Sequence, residues 1–170
     1  DIFIVFSVDV TVYGADRKAL DSDAEEKIIK KVNDNNIMLS KTVRYKEPKP
    51  ARERMGSRPV IVGFGPAGMF CALMLARAGY RPVVVERGEA VEDRMKSVDS
   101  FWNGGRLNPE SNAQFGEGGA GTFSDGKLNT QVKEVYGRIS KVLEIFVEHG
   151  ADESITYEAK PHIGTDRLVY

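Results

Sequence analysis

The residues with the most specific chemistry are Gly63-Phe64-Gly65-Pro66-Ala67-Gly68, a G-x-G-x-x-G pattern, followed by Glu86. The acid falls roughly 20 residues beyond the glycines, the separation at which a strand-end carboxylate meets the ribose of a dinucleotide. In that setting each glycine has its own task. Gly63 permits a tight turn out of a strand, Gly65 lets a pyrophosphate approach the backbone, and Gly68 lets a helix pack on the strand. Pro66 and Ala67 open that helix, whose free N–H groups and positive dipole end favour the phosphates. Glu86 can accept from both ribose hydroxyls and repels a 2′-phosphate, which disfavours NADP although Arg87 is next in sequence. A bare structural turn with three glycines is the competing reading, and the flanking strand and helix patterns argue against it. The fingerprint accounts for an ADP moiety and does not by itself separate FAD from NAD.

The elements that must carry these residues are legible from periodicity. Val60 to Val62 is a short apolar strand, a helix is expected over Ala67 to Ala78 with Gly79 as its stop, and Pro82 to Glu86 reads as a second strand. This order is a βαβ unit. Val91, Met95, Val98 and Trp102 recur at helical spacing, and Val132, Tyr136, Ile139, Val142, Leu143 and Phe146 mark a further amphipathic helix closed by His149 and Gly150. Ahead of the fingerprint, residues 2 to 12 alternate as a half-buried strand should. A helix follows, opened by Ser22 with Glu25 in capping-box spacing and stopped at Asn33 to Asn36, with Ala24, Ile28, Ile29 and Val32 inward. Ile37 to Tyr45 reads as another strand. Residues 46–58 carry two prolines and many charges without apolar period, as a linker does. The expected organisation is a partial α/β domain over 1–45, the linker 46–58, and a nucleotide-binding domain over 59–170. No internal repeat is visible.

Composition narrows the field. The apolar share of 41% and charged share of 29% are those of a globular chain. With 24 basic and 25 acidic side chains there is no basic field to attract nucleic acid or an anionic membrane. The longest apolar runs are far too short to span a bilayer. One cysteine, Cys71, excludes an internal disulfide framework and suits a reducing cytosol, so a cytoplasmic location is expected. No signal peptide is evident, although the chain starts at Asp1.

Residues 104 to 126 form a long glycine-rich stretch, and such a loop in a compact domain is usually functional. Gly118, Gly119, Ala120 and Gly121 bring backbone N–H groups close to a ligand, while Thr122 and Ser124 offer hydroxyls. An extended FAD needs such an element for its second phosphate and ribityl side, whereas a nicotinamide domain does not. Together with Gly63 to Gly68 and the ending Val83 to Gly88, this resembles the FAD-binding domain of glutathione-reductase-type flavoproteins. The stretches Phe101 to Asn112, Gln114 to Lys127 and Lys160 to Asp166 resemble, more narrowly, a largely uncharacterised family of bacterial FAD-dependent dehydrogenases. The resemblance implies an α/β architecture, a Rossmann-like FAD-binding domain preceded by a small ferredoxin-like α/β piece. It also implies non-covalent FAD and a redox role, and it supplies no substrate.

Other residues carry less. Cys71 reads as a packed thiol, Trp102 as core or as a ring stacked near the flavin, and His149 as a helix-end residue compatible with the dipole. His162 is a loop histidine or faces a substrate. Lys127 is a solvated lysine or stabilises negative charge on reduced flavin. Two histidines, one cysteine and no acidic cluster argue against a metal site. The reading is a flavoprotein oxidoreductase, with NADH or NADPH as the electron donor to be tried and catalytic residues unassigned. The alternatives are an NAD-dependent dehydrogenase domain, or a non-catalytic flavin module whose N-terminal piece binds a partner. The substrate, acceptor and oligomeric state are left open. The chain is also expected to be a fragment, because only the first βαβ of a doubly wound domain is clear and Leu168-Val169-Tyr170 reads as mid-strand. Uncovered sheet edges and apolar helix faces should follow.

Overall fold

The computed structural model describes residues 5–40, 43–50, 55–164 and 167. They fall into two compact units, 1–43 and 44–170, each considered by itself. The molecule is α/β, built of helices and a two-stranded parallel sheet.

In the first unit, α1 spans Ser22–Val32. The cap is one residue earlier than expected. Asp21, in extended backbone, accepts from the Ala24 N–H at 2.9 Å, so Ser22 is already helical. Asn33 ends the helix in left-handed conformation, as a residue with a short polar side chain can. The strands expected over 2–12 and 37–45 are not formed among the described residues. What occurs is a tight turn through Gly14 and Arg17, with one antiparallel bridge between Tyr13 and Ala19. Alternation marks the two faces of a strand, but a strand also needs a ladder partner, and Val5, Phe6, Val8 and Val10 are left exposed without one.

The second unit opens with β1, Val60–Val62, which pairs in parallel with β2, Val83–Val85. Val60 lies opposite Val83, Ile61 opposite Val84, and Val62 opposite Val85. The ladder is extended by Val83 N–H to Pro59 O and Gly63 N–H to Val85 O, at 2.8 and 2.7 Å. Ahead of it, Arg58 donates to the carbonyls of Arg81 and Pro82, tying the two strand starts together. Between the strands runs α2, Pro66–Arg77, packed on both of them. It closes with Gly79 N–H on Ala76 O and Tyr80 N–H on Leu75 O, a Schellman motif with Gly79 at φ +87°.

Helix α3 covers Val91–Trp102, and α4 covers Arg138–Glu148. The fourth helix starts six residues later than its apolar pattern suggests. Gly137 is left-handed, and Glu134 accepts from the N–H groups of Tyr136 and Arg138, so the preceding turn is a cap rather than helix. Phe146 of α4 meets Phe70 of α2 edge to face at 5.7 Å. Residues 46–50 and 55–58 form no regular element, and Glu47 pairs with Lys141 at 3.2 Å.

Two packing expectations are corrected. Cys71 is exposed, because with Ala67 one turn earlier it lies on the face of α2 turned away from the strands. On α3 the buried face passes through Arg94 and Val98 rather than Met95 and Trp102, and Trp102 is 63% exposed with its edge on Phe123. Among the described residues the buried apolar ones are few: Ala78, Val98, Ile145, Ile155 and Ile163. Val60 and Val62, on one face of β1, are 63% and 85% exposed. Parallel sheets normally bury both faces, so this face is open. Residues 168–170, expected to be mid-strand, lie outside the described residues.

The close packing of α2 on β1 depends on Gly68. A Cβ there would overlap the Gly63 carbonyl oxygen, whereas one at Gly79 would meet nothing within 4 Å. Gly68→Ala should therefore destabilise by about 3 kcal/mol or more, the upper end of overpacking, because the clash is with backbone that cannot give way. Gly79→Ala should cost only its backbone strain, about 1–2 kcal/mol. Urea unfolding measures both, and an equal cost would show that the α2–β1 contact is looser than described.

Candidate nucleotide-binding site

The site begins where β1 runs into α2. Gly63 leaves the strand at φ +95°, and Phe64 and Gly65 carry the chain across to Pro66. Gly65 is the N-cap of α2 in ordinary extended backbone, φ −76°, and its carbonyl accepts the first helical bond from Met69 N–H at 2.9 Å. No side chain caps this end, and Pro66 at the first position contributes no N–H. The early amides of a helix have no intrahelical partner, so this end presents free donors together with the positive end of the dipole.

Glu86, directly after β2, is tied into this turn. Its Oε2 accepts from Phe64 N–H at 2.6 Å and its Oε1 from Gly88 N–H at 2.9 Å. These bonds, that of Gly88 foremost and then that of Phe64, hold the carboxyl below the usual glutamate range. Each oxygen keeps a further lone pair, so the carboxylate can still accept from a ligand. Arg87 turns away to Glu110 at 3.0 Å and lies over the Phe115 ring.

The second glycine-rich segment docks on this turn. Gly118 N–H donates to Phe64 O at 2.9 Å, and a Cβ on Gly119 would stand 3.1 Å from both Gly65 Cα and Pro66 Cδ. Residues Gly119–Phe123 form a 3₁₀ turn that contains Ala120, Gly121 and Thr122. Thr122 is buried beneath Gly118, and the Ser124 hydroxyl donates to Gly121 O at 2.7 Å. Lys127 pairs with Asp125 at 2.7 Å, a contact that raises the lysine and lowers the aspartate. Both partners of that pair are largely exposed, so it contributes little to stability. Beyond it, residues 126–128 pair with 161–163 through Ile163 N–H to Gly126 O and Leu128 N–H to Pro161 O, both 2.9 Å. His162 sits exposed in that bridge, and His149 at the end of α4 contacts Ile145 O through Nδ1 at 2.7 Å.

The structure thus brings Gly63 to Gly68, Glu86, Gly118 and Gly119 together. Lys127 and Ser124 are engaged within their own loop. The residue that sequence reasoning missed is Arg94 of α3, which is 0% exposed. Its Nε donates to Asn112 O at 2.9 Å, its Nη1 donates to Glu117 O, and its guanidinium lies 4.7 Å from the centre of the Phe123 ring. Burial lowers its basicity. Around it, Glu89 receives Ser97 and Asn108, Glu89 N–H bonds Ser111 Oγ, and Glu117 accepts from Val91 N–H. A single arginine three residues after an apolar Val91 reads as helix surface, and only its place one turn before Val98 hinted otherwise.

Comparison with known proteins adds two relatives. A protein of Clostridium beijerinckii described as uncharacterised is 50% identical over 144 residues, 85% of this chain and 27% of that protein. Glutamate synthase [NADH] of Schizosaccharomyces pombe is 48% identical over 42 residues, 25% of this chain and 2% of that protein. The chain therefore spans only about a quarter of the first relative's length and far less of the second's. No protein-family model matches. Among the described residues, no helix is long and apolar enough to cross a membrane, and no group of three or more His, Cys, Asp or Glu is placed to hold a metal.

The Glu86 contacts give a pH signature. A carboxylate held below its unfolded value adds stability that is present above the unfolded value, near pH 4.3, and is lost as pH falls through the folded one. Glu86→Gln replaces one charged acceptor by an amide and should cost roughly 1–3 kcal/mol at pH 7. The gap between the two proteins should close below about pH 4. Denaturant unfolding of both across pH measures it, and a gap that widens on acidification would contradict the clamp.

Proposed function

We propose that this chain binds FAD through its first βαβ unit and belongs to a flavoprotein oxidoreductase, a bacterial FAD-dependent dehydrogenase of glutathione-reductase type. The observation that carries the proposal is Gly65. Its φ of −76° is open to any residue, and an added Cβ would find only Gly119 Cα, at an ordinary 3.8 Å. The protein itself does not require glycine there. A ligand approaching the helix end does.

The donor set fits that ligand. The uncapped start of α2 suits a pyrophosphate, Glu86 at the strand end suits the adenosine ribose, and the docked Gly118–Gly119 backbone extends the cradle beyond the first turn. FAD, when bound, supplies hydride and electron transfer at its ring system. The chain's own residues bind and orient it: Gly65 admits the phosphates, the Glu86 carboxylate stays ionised at neutral pH to accept hydroxyls, and the second segment shields the turn from water. Similarity to a glutamate synthase supports redox chemistry, and the word NADH in that protein's name supports NADH as electron donor. The same word favours one second reading, that the turn holds NAD(H) itself. A cytoplasmic location and a small-molecule substrate complete the proposal.

Titration of the protein with FAD, ADP and NADH separates these readings. FAD and ADP should bind and NADH should compete weakly. Gly65→Ala should melt as the wild type does yet lose at least about tenfold in FAD affinity, a difference of about 1.4 kcal/mol. Glu86→Ala should cost roughly 10- to 100-fold, the worth of hydrogen bonds to a charged group. Unchanged FAD affinity in both variants would remove the turn from the site, and tighter binding of NADH than of FAD would establish the second reading.

A further inference from the structure

We propose that Arg94 is the positioning residue of the nucleotide site, holding the second glycine-rich segment on the Gly63–Gly68 turn. The inference rests on the nucleotide-binding reading above and adds to it a residue outside the fingerprint. One side chain reaches the segment at three places. It bonds Asn112 O at the segment's entry, Glu117 O immediately before Gly118, and the face of Phe123 at the end of the 3₁₀ turn. Packing is close enough that a Cβ on Gly116 would come within 2.6 Å of Arg94 Cδ. Glu117, whose carbonyl Arg94 meets, donates its N–H to Glu89 O at 3.2 Å, and its neighbour Gly118 makes the bond to Phe64 O that joins the two glycine turns.

Stability alone does not account for an arginine here. A buried cation is costly to desolvate, and replacing buried ionic groups by apolar ones of similar volume is often neutral or stabilising. Arg94 Nη2 is moreover buried without a hydrogen-bond partner among the described residues. A planar fork does what an apolar side chain cannot, meeting two carbonyls and a ring face in one fixed geometry, and a lysine supplies only a point donor on a flexible stem. The geometry fits a group retained for arrangement, and the arrangement is that of the site.

The test uses the intact protein with Arg94→Met, which fills similar volume, and Arg94→Lys, which keeps the charge. Hydrogen exchange is read at Glu117 and Gly118, which report docking, and at Gly63 and Val83, which report the sheet; ADP affinity is read by calorimetry. Arg94→Met should melt within a few degrees of wild type and keep Gly63 and Val83 protected. Its Glu117 and Gly118 amides should exchange at least about tenfold faster, with ADP affinity at least about tenfold weaker. Arg94→Lys should fall between the two on both readouts. Unchanged ADP affinity with Gly118 still protected overturns the proposal, as does loss of protection at all four amides together, the mark of a core residue. Weaker ADP binding with Gly118 still protected also overturns it, since Arg94 would then act on the nucleotide directly. Should the wild type bind neither FAD nor ADP, the functional reading fails by itself, and the amide pattern alone decides whether Arg94 docks the segment.

Discussion

The arrangement depends on one contact between two stretches of backbone. Gly118 N–H meets Phe64 O at 2.9 Å, and residues Gly65 and Gly119 approach closely enough that a side chain on the latter would crowd Pro66. Gly119 can lie this close only because it carries no Cβ, whereas Gly65 has room for one. Both turns are held from the far side by acids: Glu86 accepts from Phe64 N–H, and Glu117 accepts from Val91 N–H at the start of α3. Gly119 lets the segments meet and Gly65 leaves the donors at the head of α2 unscreened, so the packing contact and the site share one place.

What joins α3 to the second glycine-rich segment is largely polar. Among the described residues five apolar residues are buried, alongside Arg94, Ser111 and Thr122. The segment from Glu86 to Ser97 and the segment from Asn108 to Gly118 are joined by side chain to backbone hydrogen bonds rather than by an apolar seam: Glu89 N–H to Ser111, Val91 N–H to Glu117, and Arg94 to the carbonyls of Asn112 and Glu117. Such a network fixes geometry, since each bond has a preferred distance and direction, where apolar contact is tolerant of sliding. Exposed ion pairs elsewhere, such as Lys96–Asp93, contribute little beside it. The open valine face of β1 shows the complementary side of this economy: the ordered polar cradle stands on a sheet whose own apolar surface is incompletely covered.

The βαβ unit was legible because its signals are local. Val60 to Val62, the glycine turn, Gly79 and Val83 to Val85 each stand in sequence where they stand in the fold, and the two helices after them start or stop at glycines and short polar residues. The place of Glu86 directly after β2 was legible for the same reason. Arg94 was not, because its meaning lies in carbonyls 18 and 23 residues away, which no period or spacing displays. Among the described residues the strands expected at 2–12 and 37–45 are not formed, on the same ground: alternation records which faces a strand would have and says nothing of whether a neighbour is there to pair. Tyr136 and Val132 misled by continuing an apolar period through Gly137, where a left-handed backbone begins the helix anew.

The central claim is that the two glycine turns form one site for FAD. It is tested most directly by denaturing the protein purified from its host and identifying the released nucleotide by absorbance and mass. The account predicts FAD, in stoichiometric amount or restored to that amount by titration. Released NAD(H), or a protein that is free of nucleotide and stays so when FAD is added, would contradict it.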